Sequence, residues 1–294
     1  MQRDMKLGLI GIGAMGMAMA KNLRRKEFQV HVRDIRPEAE AEASALGMTA
    51  SPSPAVLSAQ VDFVIVVVVN AQQIDEVLFG VNGFTRVPVR DKCVMLCSTI
   101  SPEDTVRIAQ RLAEHGVATI DAPISGGPSR AEAGTMSMMI AGEDAVLQRY
   151  ANVLDALSDK QYRISATIGD GAKTKLVNNL LAGINLVAGA EALALGMKIG
   201  LDPHKLFDVI CASSGHSWIF QDRMARALKD DFEARAFAHI LTKDITLATA
   251  MADNAKYDTP LGDAALDIFR KTVDNGWAGL DDAAVIKTYL KGTT

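Results

Sequence analysis

Short apolar runs alternate with helix-period segments through the first half of this chain. MKLGLIGI (5–12), FQVHVRD (28–34), KCVMLCST (92–99) and VATIDAPI (117–124) read as strands. VDFVIVVVVN (61–70) is apolar on both faces, as a central parallel strand requires. Between them AMGMAMAKNLRRKE (14–27), Pro37 to Leu46, AQQIDEVLFG (71–80) and SPEDTVRIAQRLAEHG (101–116) have helical spacing. In the last of these Ser101 is the N-cap and Pro102 takes the first helical position. This alternation predicts a doubly wound, mostly parallel α/β sheet with right-handed crossovers. After about Ile164 strand signals stop. Gly169 to Ile199 reads as one long helix. Further helices are expected near Asp202–Ala212, Ile219–Leu228, Ala238–Ala255, Leu261–Asn275 and Asp281–Lys291. The expected organisation is a dinucleotide-binding Rossmann domain over residues 1–164, joined by a long helix to an all-α substrate and dimerisation domain over 165–294.

Composition narrows the function. The chain has 294 residues, 49% of them apolar, enough for two cores. Net charge is −4 and basic residues form no block beyond Lys21, Arg24, Arg25 and Lys26, which suit a helix C-terminus. Nucleic acid is therefore not an expected partner. Cys93, Cys97 and Cys211 have no metal or disulfide spacing, and His31, His115, His204, His216 and His239 show no ligand spacing, so no metal is expected. MQRDMKLGLIG lacks the apolar stretch of a secretory signal. Leu180 to Leu201 is apolar enough to suggest a membrane span, but Asn185, Glu191 and Lys198 favour a long core helix. The expectation is a cytoplasmic protein that does not enter a membrane.

GLIGIGAMGMAMAKNL (8–23) carries the first chemistry. Gly11, Gly13 and Gly16 form G-x-G-x-x-G between a strand and a helix, and Asp34 ends the next strand 18 residues beyond Gly16. Gly11 permits a tight turn, Gly13 lets backbone approach a pyrophosphate, and Gly16 lets the helix pack close. Ile12, Ala14 and Met15 complete the loop that places an anion at the helix N-terminus. Asp34 suits a ribose 2′-hydroxyl and favours NAD; Arg33 and Arg36 suit a 2′-phosphate, so NADP stays open. Asn70, Ser98 and Thr99, at the carboxyl ends of two strands, are further candidates for cofactor contact.

Three more stretches bear on a reaction. DAPISGG (121–127) lies where the sheet pattern ends; Ser125, Gly126 and Gly127 offer a hydroxyl and open N–H groups to a carboxylate, or form only a Pro/Gly turn. GDGAKTKLVNN (169–179) opens the long helix with Lys175, Asn178 and Asn179 at i, i+3 and i+4, on one face. A Lys desolvated on an apolar helix serves as general acid/base, with the asparagines orienting a hydroxyl or carbonyl. Lys173 points about 160° away at 100° per residue. In LTKDITLA (241–248), Lys243 is either a cation for substrate or nicotinamide, or a surface residue paired with Asp244.

Taken in order, these four motifs resemble the β-hydroxyacid dehydrogenase family (3-hydroxyisobutyrate dehydrogenase-like) over essentially the whole chain. The resemblance implies an NAD- or NADP-dependent dehydrogenase of a small hydroxy acid, assembled as a homodimer or homotetramer. It also implies Lys175 as acid/base, Asn179 assisting it, Ser125, Gly126 and Gly127 at the substrate carboxylate, and Lys243 at the active site. SSGHSWIFQDR (213–223) and DDAAVIK (281–287) resemble the L-threonate branch, in which His216, Ser217 and Trp218 would shape the pocket for a polyhydroxy acid; helix-start packing is the rival account. Other expectations are a 3-hydroxyisobutyrate dehydrogenase, a tartronate semialdehyde reductase, an imine reductase (which typically lacks the Lys) or a non-catalytic dinucleotide sensor.

Overall fold

A computed structural model describes residues 5–290. Contacts divide the chain into two units, one ending at Lys175 and the other beginning at Leu176.

In the first unit the apolar runs form β1 (Lys6–Ile10), β2 (Gln29–Arg33), β3 (Thr49–Ala50), β4 (Phe63–Val66), β5 (Cys93–Leu96), β6 (Ala118–Asp121), β7 (Ile124–Ser125), β8 (Ser137–Ala141) and β9 (Lys160–Ser165). Helices α1 (Ala14–Arg25), α2 (Pro37–Ala45), α3 (Pro54–Gln60), α4 (Ala71–Phe79), α5 (Pro102–Glu114), α6 (Gly127–Ala133), α7 (Asp144–Arg149) and α8 (Ala151–Leu157) connect them. The strand order is β3-β2-β1-β4-β5-β6-β8-β7, with β9 beside β8. Strands β1 to β6 pair in parallel and β8 runs antiparallel to β6 and β7, as a mostly parallel doubly wound sheet requires. Two apolar clusters cover it. One holds Leu7, Leu9, Phe63, Met95 and Tyr150; the other holds Ile10, Val64, Leu96, Phe84 and Ile108. Ser101 caps α5 by accepting the Asp104 N–H at 3.0 Å.

Two local expectations are corrected. The sheet does not end at Asp121–Gly127, because β7, β8 and β9 extend it. Strand β9 is a mostly exposed edge carrying Lys160 and Arg163, so it lacks the alternation that marks a half-buried strand. The apolar run 61–70 is a strand only over Phe63–Val66. Beyond it Val67 still donates to the Ile10 carbonyl at 2.9 Å, but the chain then leaves the sheet and Val69 is exposed.

The second unit is helical: most of α9 (Asp170–Lys198), then α10 (Pro203–Cys211), α11 (Trp218–Ala227), α12 (Ala238–Asn254), α13 (Pro260–Thr272) and α14 (Ile286–Leu290). Its core gathers Leu186, Leu193, Phe220, Ile245 and Phe269. By length and composition alone α9 is apolar enough to cross a membrane. Its Leu186, Ala190 and Leu193 are nonetheless fully buried in this core. Residues 291–294, which include Lys291 at the end of the last expected helix, lie outside the described residues.

Candidate active site

The glycine loop is built as a cradle. Gly11 has φ +88°, and a Cβ there would lie 2.3 Å from the Val67 carbonyl oxygen. A Cβ on Gly16 would lie 2.0 Å from the Gly11 carbonyl oxygen, so helix α1 seats against the loop only with glycine there. Gly13 faces open space, its nearest neighbour being an Arg36 nitrogen at 4.0 Å. Gly13 is also the N-cap of α1, with no side-chain cap and no acidic residue in the first turn. N–H groups at a helix start that no side chain caps, beside glycine backbone, fit a dinucleotide pyrophosphate. Ile12 is buried, Met15 half-buried and Ala14 exposed at this rim.

Asp34, 8% exposed, lies beside the cradle. Its Oδ2 accepts the Ile12 N–H at 2.8 Å, and its Oδ1 accepts the Arg36 N–H and Nε at 3.0 Å. Burial opposes its charge, but the hydrogen bonds from Arg36 and Ile12 outweigh burial and hold its carboxyl below the usual value. Arg36 also donates to the Ile12 carbonyl at 3.1 Å. Arg33 is turned aside by Glu40 at 2.7 Å. Ser98 is buried and its hydroxyl accepts the Val68 N–H at 2.9 Å, tying the ends of two neighbouring strands together. Thr99 follows it, half-buried. Asn70 caps α4 by accepting the Gln73 N–H at 2.9 Å.

Strand β7 brings Ser125 to the start of α6, where Gly126 is the N-cap with φ +131° and Gly127 follows with φ +75°. A Cβ on Gly127 would meet nothing within 4 Å, so its backbone is open to approach.

On α9 the candidates separate by burial. Lys175 is 7% and Asn179 8% exposed, on one face. Lys173 is exposed and paired with Asp170 at 2.8 Å. Asn178 is exposed and donates its amide to Asn179 Oδ1 at 3.1 Å. Within the second unit Asn179 in turn donates to Asp244 Oδ2 at 2.7 Å, and Lys243 pairs with Asp244 Oδ1 at 2.7 Å. Asp244 is 4% exposed, so a buried carboxylate joins the α9 amide to the α12 ammonium. The sequence offers Asp244 only as the pairing partner of a surface Lys243. The signal for more was the apolar spacing of α12, which puts position 244 on the core face with Leu241, Ile245 and Ala248. His216 is exposed in the α10–α11 connection, with Nε2 at 3.0 Å from Gln221 Oε1; Ser217 caps α11, and Trp218 is exposed.

Sheet order, glycine cradle and acidic strand end define a dinucleotide-binding protein of Rossmann type with an appended helical unit. Residues 6–169 match the NAD binding domain of 6-phosphogluconate dehydrogenase, and residues 169–289 match the NAD-binding domain of NADP-dependent 3-hydroxyisobutyrate dehydrogenase. The L-threonate dehydrogenase of Cupriavidus necator is 41% identical over 96% of this chain and 95% of its own. The 2-hydroxy-3-oxopropionate reductase of Escherichia coli is 32% identical over 96% of both. A crystal structure of 3-hydroxyisobutyrate dehydrogenase from Salmonella typhimurium superposes with a TM-score of 0.90 at 35% identity, covering 97% of this chain and 99% of that one. The chain belongs to the β-hydroxyacid dehydrogenase family, and its cofactor is NAD(P).

Proposed function

We propose that this protein oxidises a small hydroxy acid with NAD(P), and that the substrate is a four-carbon sugar acid, L-threonate or a near relative. The observation that carries the reading is an amine and an amide, Lys175 and Asn179, buried side by side on α9. Dinucleotide binding alone requires neither, which disfavours a sensor. The substrate class is supported by the L-threonate dehydrogenase similarity over nearly the whole of both chains.

In oxidation, neutral Lys175 takes the proton of the substrate hydroxyl; in reduction, its ammonium returns it. Asn179, anchored by Asp244, orients the oxygen that gives up the proton. Ser125 and the N–H groups of Gly126 and Gly127 hold the carboxylate, and Lys243 adds positive charge. When bound, the nicotinamide supplies the two-electron acceptor. Gly11 to Gly16 hold its pyrophosphate, Asp34 its ribose, and Asn70, Ser98 and Thr99 border its path. The protein works as a soluble homo-oligomer in a reducing compartment.

Nicotinamide absorbance with purified protein tests the reading. L-threonate, D-glycerate and 3-hydroxyisobutyrate are run with NAD and with NADP, and tartronate semialdehyde in reverse. Turnover of L-threonate at least tenfold above the others is expected. Preference for another panel member would keep the reaction class and remove the substrate. Cofactor binding without turnover of any of them would return the sensor.

A further inference from the structure

Two features at the start of α9 are unexplained by cofactor or substrate: GDGAKTK carries two glycines, and DAPISGG begins with an acid that is buried. They explain each other. Asp121 is the last residue of β6 and is 1% exposed. Its Oδ2 accepts the N–H of Gly169 at 2.9 Å and of Ala172 at 3.1 Å, and the Gly171 N–H donates to the same carboxylate. A Cβ on Gly171 would lie 2.9 Å from Asp121 Cγ and 2.6 Å from the Met139 carbonyl oxygen, so only glycine admits this contact. The orphan N–H groups of α9 are therefore met by a side chain from a strand 48 residues earlier. Lys175 sits one helical turn beyond Gly171. In the other direction Asp121 runs straight into Ala122-Pro123-Ile124 and the Ser125–Gly127 loop.

We propose that Asp121 is a positioning residue whose ionised carboxylate clamps the first turn of α9, and so sets Lys175 against the Ser125–Gly127 loop. This rests on the roles given above to Lys175 and that loop. Burial pushes the Asp121 carboxyl up to about 6 despite the N–H groups of Ala172, Gly169 and Gly171. The other ionisable groups facing it are Asp170 of α9, itself tied to Lys173 and Ser165, and the buried Cys97 after β5. With its folded value above 3.8, the folded protein holds this proton more tightly than the unfolded chain. Ionising Asp121 therefore lowers stability as pH rises from about 4 to about 6. A residue kept for stability alone gains nothing from that charge. A residue that must hold three N–H groups in place does.

The test is Asp121→Asn, measured in the reductive direction, where Lys175 works protonated. At pH 8 kcat falls tenfold or more, NAD affinity by fluorescence titration stays within twofold, and Tm is unchanged or higher. The wild-type protein loses kcat below about pH 6, and the variant lacks that inflection. A variant with wild-type kcat and the same inflection overturns the proposal, as does a drop in Tm with a parallel loss of NAD binding. Amide exchange of the wild-type protein from pH 5 to 8 needs no variant. Protection factors of Gly169, Gly171 and Ala172 fall together as pH drops through 6; pH-independent protection overturns the clamp. Lys175→Ala separates the two claims: if it keeps full turnover, the proton-transfer reading fails. If it is inactive while Asp121→Asn behaves as wild type, only the clamp fails.

Discussion

At Asp34 burial and hydrogen bonding oppose each other, and the hydrogen bonds prevail. The carboxylate stays charged, with Arg36 as its counter-ion at 3.0 Å. On the cofactor role proposed above, a ribose hydroxyl would find an acceptor there, and a 2′-phosphate a fixed negative charge. Asp34→Asn removes the charge, keeps the shape and releases Arg36. The ratio of kcat/KM for NADP to that for NAD is expected to rise about tenfold, worth about 1.4 kcal/mol. Steady-state kinetics with both cofactors measures it, and an unchanged ratio removes Asp34 from cofactor choice. Asp34 was legible because its spacing from the glycine loop is a local pattern along the chain. The bond between Asp244 and Asn179 was not, because the two residues are 65 apart and only the packing of α12 on α9 brings them together. The separation of Asn178 from Lys175 and Asn179 was also hidden. Spacing puts all three on one side of a helix, and only packing decides which of them is covered.

Helix α9 was legible as one element from its length and period, while its interior glycines were not. Gly183, Gly189 and Gly196 each cost helix stability relative to Ala, by roughly 0.5–1 kcal/mol. Propensity alone says that Gly189→Ala stabilises. A Cβ there would lie 2.4 Å from Cδ2 of Phe220, whose ring is 1% exposed and stacked on Phe207. A ring packed in that way has nowhere to go, and overpacking costs about 1–3 kcal/mol. Packing therefore reverses the sign: Gly189→Ala is expected to destabilise by about 1–2 kcal/mol net. In urea the midpoint falls with the slope unchanged; a higher midpoint would mean that α11 yields. The same reasoning explains why β8 and β9 escaped the sequence reading. Their pairing is long-range and β9 is mostly exposed, so no local period marked them.

Among the described residues, one face of α9 in the second unit is apolar and exposed. At 100° per residue Val177, Leu181, Ala188, Leu195 and Ile199 fall within an arc of about 40°. All five are exposed, Leu195 at 60% and Ile199 at 66%. Leu186, Ala190 and Leu193 lie on the opposite side, buried in the helical core. A water-facing apolar stripe, here from Val177 to Ile199 just past the end of α9, marks a contact surface. Lys198 and Glu191 stand exposed on the same helix, which suits a protein partner better than lipid. We propose a second copy of the chain as the occupant, in keeping with the homo-oligomer proposed above. Leu195→Glu together with Ile199→Glu places two charges in the stripe without touching the buried face. Light scattering is expected to give a dimer or larger assembly for the wild-type protein and a monomer, or a strongly concentration-dependent mass, for the double variant. Circular dichroism should remain that of the folded chain. Charge desolvated at an interface costs several kcal/mol per group, enough to dissociate a micromolar dimer. A wild-type monomer would leave the stripe without that role. A wild-type oligomer unmoved by both glutamates would put the subunit contact on another surface.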